Sequence, residues 1–372
     1  MAQGESPTAG QQVFPVAEWG QADPQALGFD SERLDQLATD AAEYGTRCLL
    51  VTRHGRIATE WYWHGADERS PQEVSSITKS VVSSLVGMAQ SDGCLDLDDS
   101  ASDYIDAWRD TPAAAVTVRN LLSQDSGRYW PSFDADVEGV LMAPDRTGYA
   151  IGISQEQPPG RVWRYNQTAI QALDAVLTTA TGRKTRIYAR ERLLDPIGMS
   201  QSELSVDAQG NATMSLGLQS TCRDTARFGY LFLRRGNWNG RQILPETWVD
   251  AATETRARQS LNASWGVLRW INAYMWWPNR RGPLTDDEIT TDALDLDSKY
   301  AALAPDVSES TNEFMVPGAP ETMYWSFGLG SQILQVDPTS DTVVVRFGLV
   351  DPTSARYGPA DTAKLVTEAL LE

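Results

Sequence analysis

Ser76 and Lys79 stand three residues apart in the run Ser75-Ser76-Ile77-Thr78-Lys79-Ser80-Val81-Val82-Ser83-Ser84-Leu85-Val86. Apolar residues at 77, 81, 82, 85 and 86 give the run a helical period. Positions i and i+3 share one helix face, so the lysine amine can reach the serine hydroxyl. That hydroxyl is a weak nucleophile at neutral pH and needs an adjacent base. Lysine serves as the base only where burial or neighbouring cations lower its pKa. The pair points to nucleophilic attack by Ser76, although S-x-x-K alone also fits a helix with a surface lysine.

The elements that must hold this pair follow from pattern. Ser31 is predicted to cap a helix whose inner face is Leu34, Leu37, Ala38 and Ala41. Cys48 to Thr52, a turn at His54-Gly55, and Ile57 to Tyr62 predict a β-hairpin. From about residue 95 to 210 the pattern changes to helices and long loops. Val116 to Leu122 starts one helix, Thr168 to Thr181 forms a strongly apolar one stopped by Gly182, and Tyr188 to Leu194 ends before Pro196. Strands return at Ser331 to Val336 and Thr342 to Phe347, and a last helix runs from about Ala360 to Leu371. An early hairpin and a late hairpin plus helix predict an α/β (α+β) fold. One antiparallel sheet would be built from both chain ends and flanked by helices, with a mainly helical region inserted.

In residue ranges, 1–28 reads as an extended N-terminal arm. Residues 29–95 and 211–372 read as the α/β domain and 96–210 as the helical domain. A long insertion at 271–322 within the α/β domain is a candidate lid, because connections of this length are usually functional or disordered. Its carboxylates (Asp286, Asp287, Glu288, Asp292, Asp295, Asp297) lack the spacing of a calcium loop and read as a solvated acidic loop.

Composition narrows the function classes. The 372 residues carry a net charge of -19, which argues against nucleic acid or an anionic membrane surface as partner. No apolar run approaches about 18 residues, so no membrane insertion is expected. Only two histidines, His54 and His64, occur, with neither C-x-x-C nor H-E-x-x-H, so no metal and no other cofactor is expected. No G-x-S-x-G nucleophile elbow occurs. His54 reads as a turn residue. Met1 to Gln12 lacks a basic and an apolar segment, so the expectation is cytoplasmic, or periplasmic or secreted if a leader was removed. Cys48, Cys94 and Cys222 are odd in number and widely spaced, and are expected to be free thiols in a reducing compartment. The sequence leaves the oligomeric state open.

Further along, Pro159-Gly160 precedes an aromatic-rich run and then a helix, a turn that would present Tyr165 at the helix entrance; a core tyrosine is the alternative. Other segments are Gly93 to Asp99 followed by Tyr104, Leu121 to Gly127, Pro159 to Asn166, Leu194 to Met199 and Asp224 to Gly229. Together with Ser76 to Lys79, in this order and spacing, the chain resembles the serine β-lactamase and penicillin-binding-protein-like superfamily. It is most similar to the class C β-lactamase-related branch of family VIII carboxylesterases and 6-aminohexanoate-dimer hydrolases. The resemblance covers roughly residues 30–270 and 324–370.

The resemblance implies a β-lactamase-like fold and a Tyr-x-Asn element in which Tyr165 exchanges protons with the serine and the leaving group. Gln167 stands where that element has asparagine, one methylene longer. A Lys/His-Thr/Ser-Gly triplet lining the site corresponds to Ser326-Phe327-Gly328, in which glycine is kept and the cation is absent. Without it, a substrate carboxylate loses a charge-assisted contact of about 1.5–3 kcal/mol. This departs from β-lactamases and D-alanyl carboxypeptidases and points to a less polar ester or amide. The resemblance also implies an oxyanion hole from the N–H groups of Ser76 and Leu329.

Of the tryptophans, Trp163 and Trp265 read as core. Trp270 is a candidate substrate contact, and Trp276-Trp277, in a polar loop, are candidates for a lid or pocket wall. The expected activity is a serine hydrolase (carboxylesterase) acting on a small ester. Amide hydrolysis of the 6-aminohexanoate-oligomer type and acyl transfer are the alternatives, and a binding protein on the same fold is a further one.

Overall fold

The computed structural model describes residues 13–161, 163–253, 271–280, 314–349 and 357–371. Its central sheet has seven strands in the order β1-β3-β2-β12-β11-β10-β9. These are β1 (Gly20–Gln21), β2 (Thr46–Arg53), β3 (Arg56–Tyr62), β9 (Trp277–Pro278), β10 (Tyr324–Gly328), β11 (Gln332–Asp337) and β12 (Thr342–Gly348). All pairings are antiparallel except β1 with β3, so the predicted antiparallel sheet gains one parallel edge strand from the N-terminal segment. β12 pairs with β2 through Val344↔Val51 and with β11 through Leu334↔Val345, joining the early and late hairpins.

Every residue of β11 and β12 is buried, as expected of strands covered on both faces. On one face lie α2 (Ile77–Ser91) and α8 (Cys222–Leu233). Gly229 of α8 packs so closely on Leu334, Val336 and Val343 that a Cβ there would come within 2.7 Å of Leu334 Cδ1. The other face carries α1 (Ser31–Ala42) and α10 (Pro359–Thr367), where Trp325 Nε1 donates to Gln335 Oε1 at 2.9 Å and reaches Thr362 Oγ1 of α10. The predicted cap of α1 shifts by one residue: Asp30, not Ser31, accepts from Arg33 N.

Between α2 and α8 the chain is largely helical. The elements that matter are α3 (Val118–Leu122), α4 (Phe133–Met142), α5 (Arg146–Gly152), α6 (Gln167–Thr181) and α7 (Thr185–Ala189). A short three-stranded sheet, β4-β6-β5, ties Gln72–Glu73 to Leu218–Ser220 and Glu203–Leu204 beside the start of α2. Gly182 ends α6 in the left-handed conformation, as its sequence position predicts.

Two expectations are corrected. Cys48 on β2 and Cys222 at the start of α8 form a disulfide, with Cα atoms 6.6 Å apart, and only Cys94 is free. Their separation of 174 residues hid the pairing, which exists because α8 packs across β2. Trp276 and Trp277 are not a lid. Trp276 is fully buried against Phe228, Phe232 and Tyr324, with ring centroids 5.8, 4.3 and 5.4 Å away. Trp277 pairs with Trp325 as edge strand β9 and packs edge-on against Phe327. Local sequence misled, because Trp277 is buried by the pairing of β9 with the distant β10 and Trp276 by the rings of α8.

The lid expectation for 271–322 falls mainly on 281–313, outside the described residues. The two ends of that segment meet at Asn279, whose Oδ1 accepts from Val316 N and whose Nδ2 donates to the carbonyls of Ala319 and Pro320. Among the described residues, no helix is long and apolar enough to cross a membrane.

Candidate active site

The chain enters α2 through an unusual corner. Ser75 has φ of +48°, a left-handed conformation that is uncommon for serine. Ser76 then occupies the N-cap but makes no capping hydrogen bond, so its hydroxyl is not spent on the helix end as a capping serine's would be. Thr78 fixes the corner instead: its Oγ1 donates to Ser75 O at 2.6 Å and accepts from Leu218 N at 3.0 Å. Every residue from Ile77 to Ala89 is buried, which makes α2 a central helix with no solvent face in that stretch. Gly87 permits this, since a Cβ there would overlap the Trp248 ring.

Lys79 lies fully inside. Its Nζ donates to Ser76 Oγ at 3.0 Å and to Ser215 O at 2.8 Å. Burial pushes its pKa down to about 7, opposed by the carboxylate of Asp136. The ammonium also sits 4.9 Å from the Tyr165 ring centre. Tyr165 is buried and hydrogen-bonds Ser76 through its hydroxyl; desolvation drives its pKa well above the ordinary value. Two hydroxyls and one amine thus meet at Ser76, with the amine the easier group to find unprotonated.

Tyr165 is placed by the loop before α6. Trp130 Nε1 donates to Tyr165 O at 3.1 Å. Asn166, the N-cap of α6, accepts from Ala169 N at 2.8 Å through its side chain. The Asn166 N–H donates to Gln124 Oε1, and Gln167 N–H donates to Asp136 Oδ2. Gln124 itself has φ of +67° in the turn after α3, and its carbonyl accepts from Arg164 N. Asp136, on α4, is buried, and desolvation raises its pKa to about 7.

The proposed β10 elements divide. Ser326 is fully buried with its hydroxyl 2.6 Å from Ser80 Oγ, which in turn donates to Met275 O at 2.6 Å. It is therefore directed into α2. Phe327 packs with Trp277 and Trp325 on the α10 face of the sheet. Gly328 runs against the chain that leads into Ser76: a Cβ there would lie 2.3 Å from Val74 O and 3.1 Å from Ser75 Cβ. Leu329 follows in an exposed turn. Neither its N–H nor that of Ser76 donates to another described residue. Gln167 is buried, and its Oε1 has no hydrogen-bond partner among the described residues. Trp270 lies outside the described residues.

Three groups escaped sequence reasoning. Ser215 contributes only a main-chain carbonyl, which leaves no residue-type signature. Asp136 reads as one acidic residue among several on an amphipathic helix. Gln124 lies within the Leu121 to Gly127 segment, but its role depends on a left-handed backbone. Among the described residues, no group of three or more His, Cys, Asp or Glu side chains is placed to hold a metal.

This fold has counterparts among known proteins. The sequence matches the beta-lactamase family over residues 34–364, and the chain belongs to that family. A 6-aminohexanoate-dimer hydrolase of Paenarthrobacter ureafaciens is 21% identical over 351 residues, 87% of this chain and 87% of that one. A penicillin-binding protein homologue from Caulobacter crescentus superposes with a TM-score of 0.61 at 16% identity, over 93% of this chain and 97% of that one. A class C beta-lactamase from Rhodobacter sphaeroides gives 0.54 at 16% identity, over 90% and 96%. The structural likeness establishes the β-lactamase fold, and the names of the family and of these relatives point to a hydrolase.

Proposed function

We propose that the protein is a serine hydrolase that cleaves a small acyl ester through an acyl-enzyme on Ser76. The observation that carries this reading is the 3.0 Å contact between Ser76 Oγ and a fully buried Lys79 Nζ whose pKa falls to about 7. Near neutral pH the free amine takes the Ser76 proton as Oγ attacks the acyl carbon. The oxyanion is received by the N–H groups of Ser76 and Leu329, which have no competing acceptor among the described residues. Tyr165, held protonated by burial, delivers a proton to the leaving alkoxide, and Lys79 hands its proton on. Water then hydrolyses the ester to Ser76.

A hydroxyl where a carboxylate-binding cation would stand, and one turned into α2, favours a substrate without a carboxylate at that end. A second reading, amide hydrolysis, is favoured by the similarity to the 6-aminohexanoate-dimer hydrolase. The same acyl-enzyme serves both, and with another acceptor it would support acyl transfer.

The test is release of nitrophenolate from p-nitrophenyl butyrate with intact-mass detection of the adduct, beside parallel assays with nitrocefin and 6-aminohexanoate dimer. Ser76→Ala should abolish turnover and the adduct. Tyr165→Phe should cost roughly 10²–10⁴ in rate. Near-full activity in Ser76→Ala would sink the proposal.

A further inference from the structure

Arg346, on β12, is a fully buried guanidinium with no carboxylate at ion-pair distance among the described residues; its Cζ lies 5.2 Å from the Tyr357 ring centre, and Asp361 attracts it from farther off. Burial pushes its pKa down to about 10. An arginine so placed must be held by neutral oxygens, and here it is. Nε donates to Thr46 Oγ1 at 2.9 Å, and Nη2 to Tyr44 O at 2.7 Å. Nη1 donates to Gly330 O at 3.2 Å and to Ser331 O at 2.9 Å. Gly348 makes room for it, since a Cβ there would collide with both Nη1 and Gly330 O.

Gln332, also fully buried, completes the grip. Its Nε2 donates to Leu329 O at 3.2 Å, Gly330 O at 3.3 Å and Gly348 O at 2.9 Å. Its Oε1 accepts from Gly348 N at 3.1 Å and from Gln72 Nε2 at 2.8 Å. Every carbonyl of the turn Leu329-Gly330-Ser331 is therefore tied inward to these two side chains. A hairpin turn on a protein surface needs no buried cation for its own stability, because water satisfies its carbonyls. What the turn does carry is the Leu329 N–H.

We propose that Arg346 and Gln332 form a clamp that sets the direction of the Leu329 N–H as an oxyanion donor, making Arg346 a positioning residue for catalysis. The proposal rests on the serine-hydrolase reading above. The peptide before Leu329 is fixed by the Gly328↔Gln332 strand pairing, and the peptide after it by the bond to Leu329 O. With both flanking peptides held, the N–H cannot swing with the exposed side chain. Preorganisation of this kind avoids reorienting the donor as charge develops on the substrate oxygen.

The test compares wild type with Arg346→Met and Arg346→Lys, using p-nitrophenyl butyrate kinetics and the rate of labelling by a fluorophosphonate. Arg346→Met should lower kcat and the labelling rate roughly 10–100-fold, short of the 10²–10³ for deleting a donor outright. KM should stay within about twofold, the pattern of an interaction made only in the transition state. The acid limb of the pH–rate profile should not move, because Lys79 is untouched. Arg346→Lys should recover part of the rate, since its ammonium keeps the charge but not the planar fork.

A folded Arg346→Met with unchanged kcat overturns the proposal. So does a loss of rate accompanied by a shifted acid limb, which would place the damage at the Ser76–Lys79 pair. If Arg346→Met does not fold, Arg346→Lys decides by the same criteria: reduced kcat at constant KM supports the clamp, and unchanged kcat overturns it. Wild-type protein that forms no adduct on Ser76 would instead overturn the underlying reading, so the two failures are told apart.

Discussion

Ser326 Oγ lies 2.6 Å from Ser80 Oγ, so the position that could have offered a cation to the substrate is instead a rivet between β10 and α2. Ser80 extends the rivet to Met275 O, linking α2 to the segment that enters β9. Restoring the cation should therefore fail. Ser326→Lys would bury an unpaired ammonium against two oxygens and is expected to cost about 3–5 kcal/mol of stability. Urea denaturation gives the loss, and nitrocefin should remain a poor substrate. A stable variant with strong β-lactam hydrolysis would show that Ser326 does face the cleft.

The pH dependence follows from Lys79 and Asp136. Lys79 must be neutral to act as a base, so the rate should rise with pH through about 7. The Asp136 carboxylate favours the ammonium form of Lys79 and so holds its pKa up. Asp136→Asn removes that charge, and the acid limb should move to lower pH. Initial rates from pH 5 to 9 measure this, and a limb displaced upward would contradict the sign.

Gly328 owes its identity to the approach of β10 to Val74 and Ser75. Gly328→Ala should push the strand away from the Ser75–Ser76 corner, costing about 1–3 kcal/mol as overpacking does. The loss of rate should exceed what the loss of stability explains, since a 1 Å displacement near the chemistry can cost about 10²-fold. Wild-type kcat in a folded Gly328→Ala would contradict the close approach.

The disulfide is directly measurable. Alkylation of unfolded, unreduced protein should label one cysteine, Cys94, and reduction should expose Cys48 and Cys222. The Cys48→Ala, Cys222→Ala double variant is expected to lose about 2–5 kcal/mol. Labelling of all three without reductant would rule the bond out.

What the sequence reveals, and what it hides, depends on distance along the chain. Ser76 and Lys79 announce themselves because one helical turn brings them together, and Tyr165 because a Pro-Gly turn and a helix start flank it. The two hairpins were readable from alternation and turn residues, and their union in one sheet from their places at either end of the pattern, but not that β12 makes the join. Asp136, Gln124 and Arg346 were not readable, since they act on backbone groups 15 to 302 residues away. Trp276 and Trp277 look like loop residues because the strand that includes Trp277 is only two residues long and Trp276 lies just before it. The pairing of Cys48 with Cys222 is a property of how α8 crosses β2, which no local pattern encodes.

β12 lies between β2 and β11 in the sheet. During synthesis the hairpin of β2 and β3 emerges nearly 300 residues earlier, with one long edge unpaired, and β11 likewise waits for its inner neighbour. Arg346 arrives on the same strand, so until then the turn bearing Leu329 has only Gln332, among the described residues, to hold it. A nascent chain or fragment ending before residue 342 would thus leave two strand edges open to wrong partners. The strand that closes the sheet is also the one that brings the last support to the Leu329 turn.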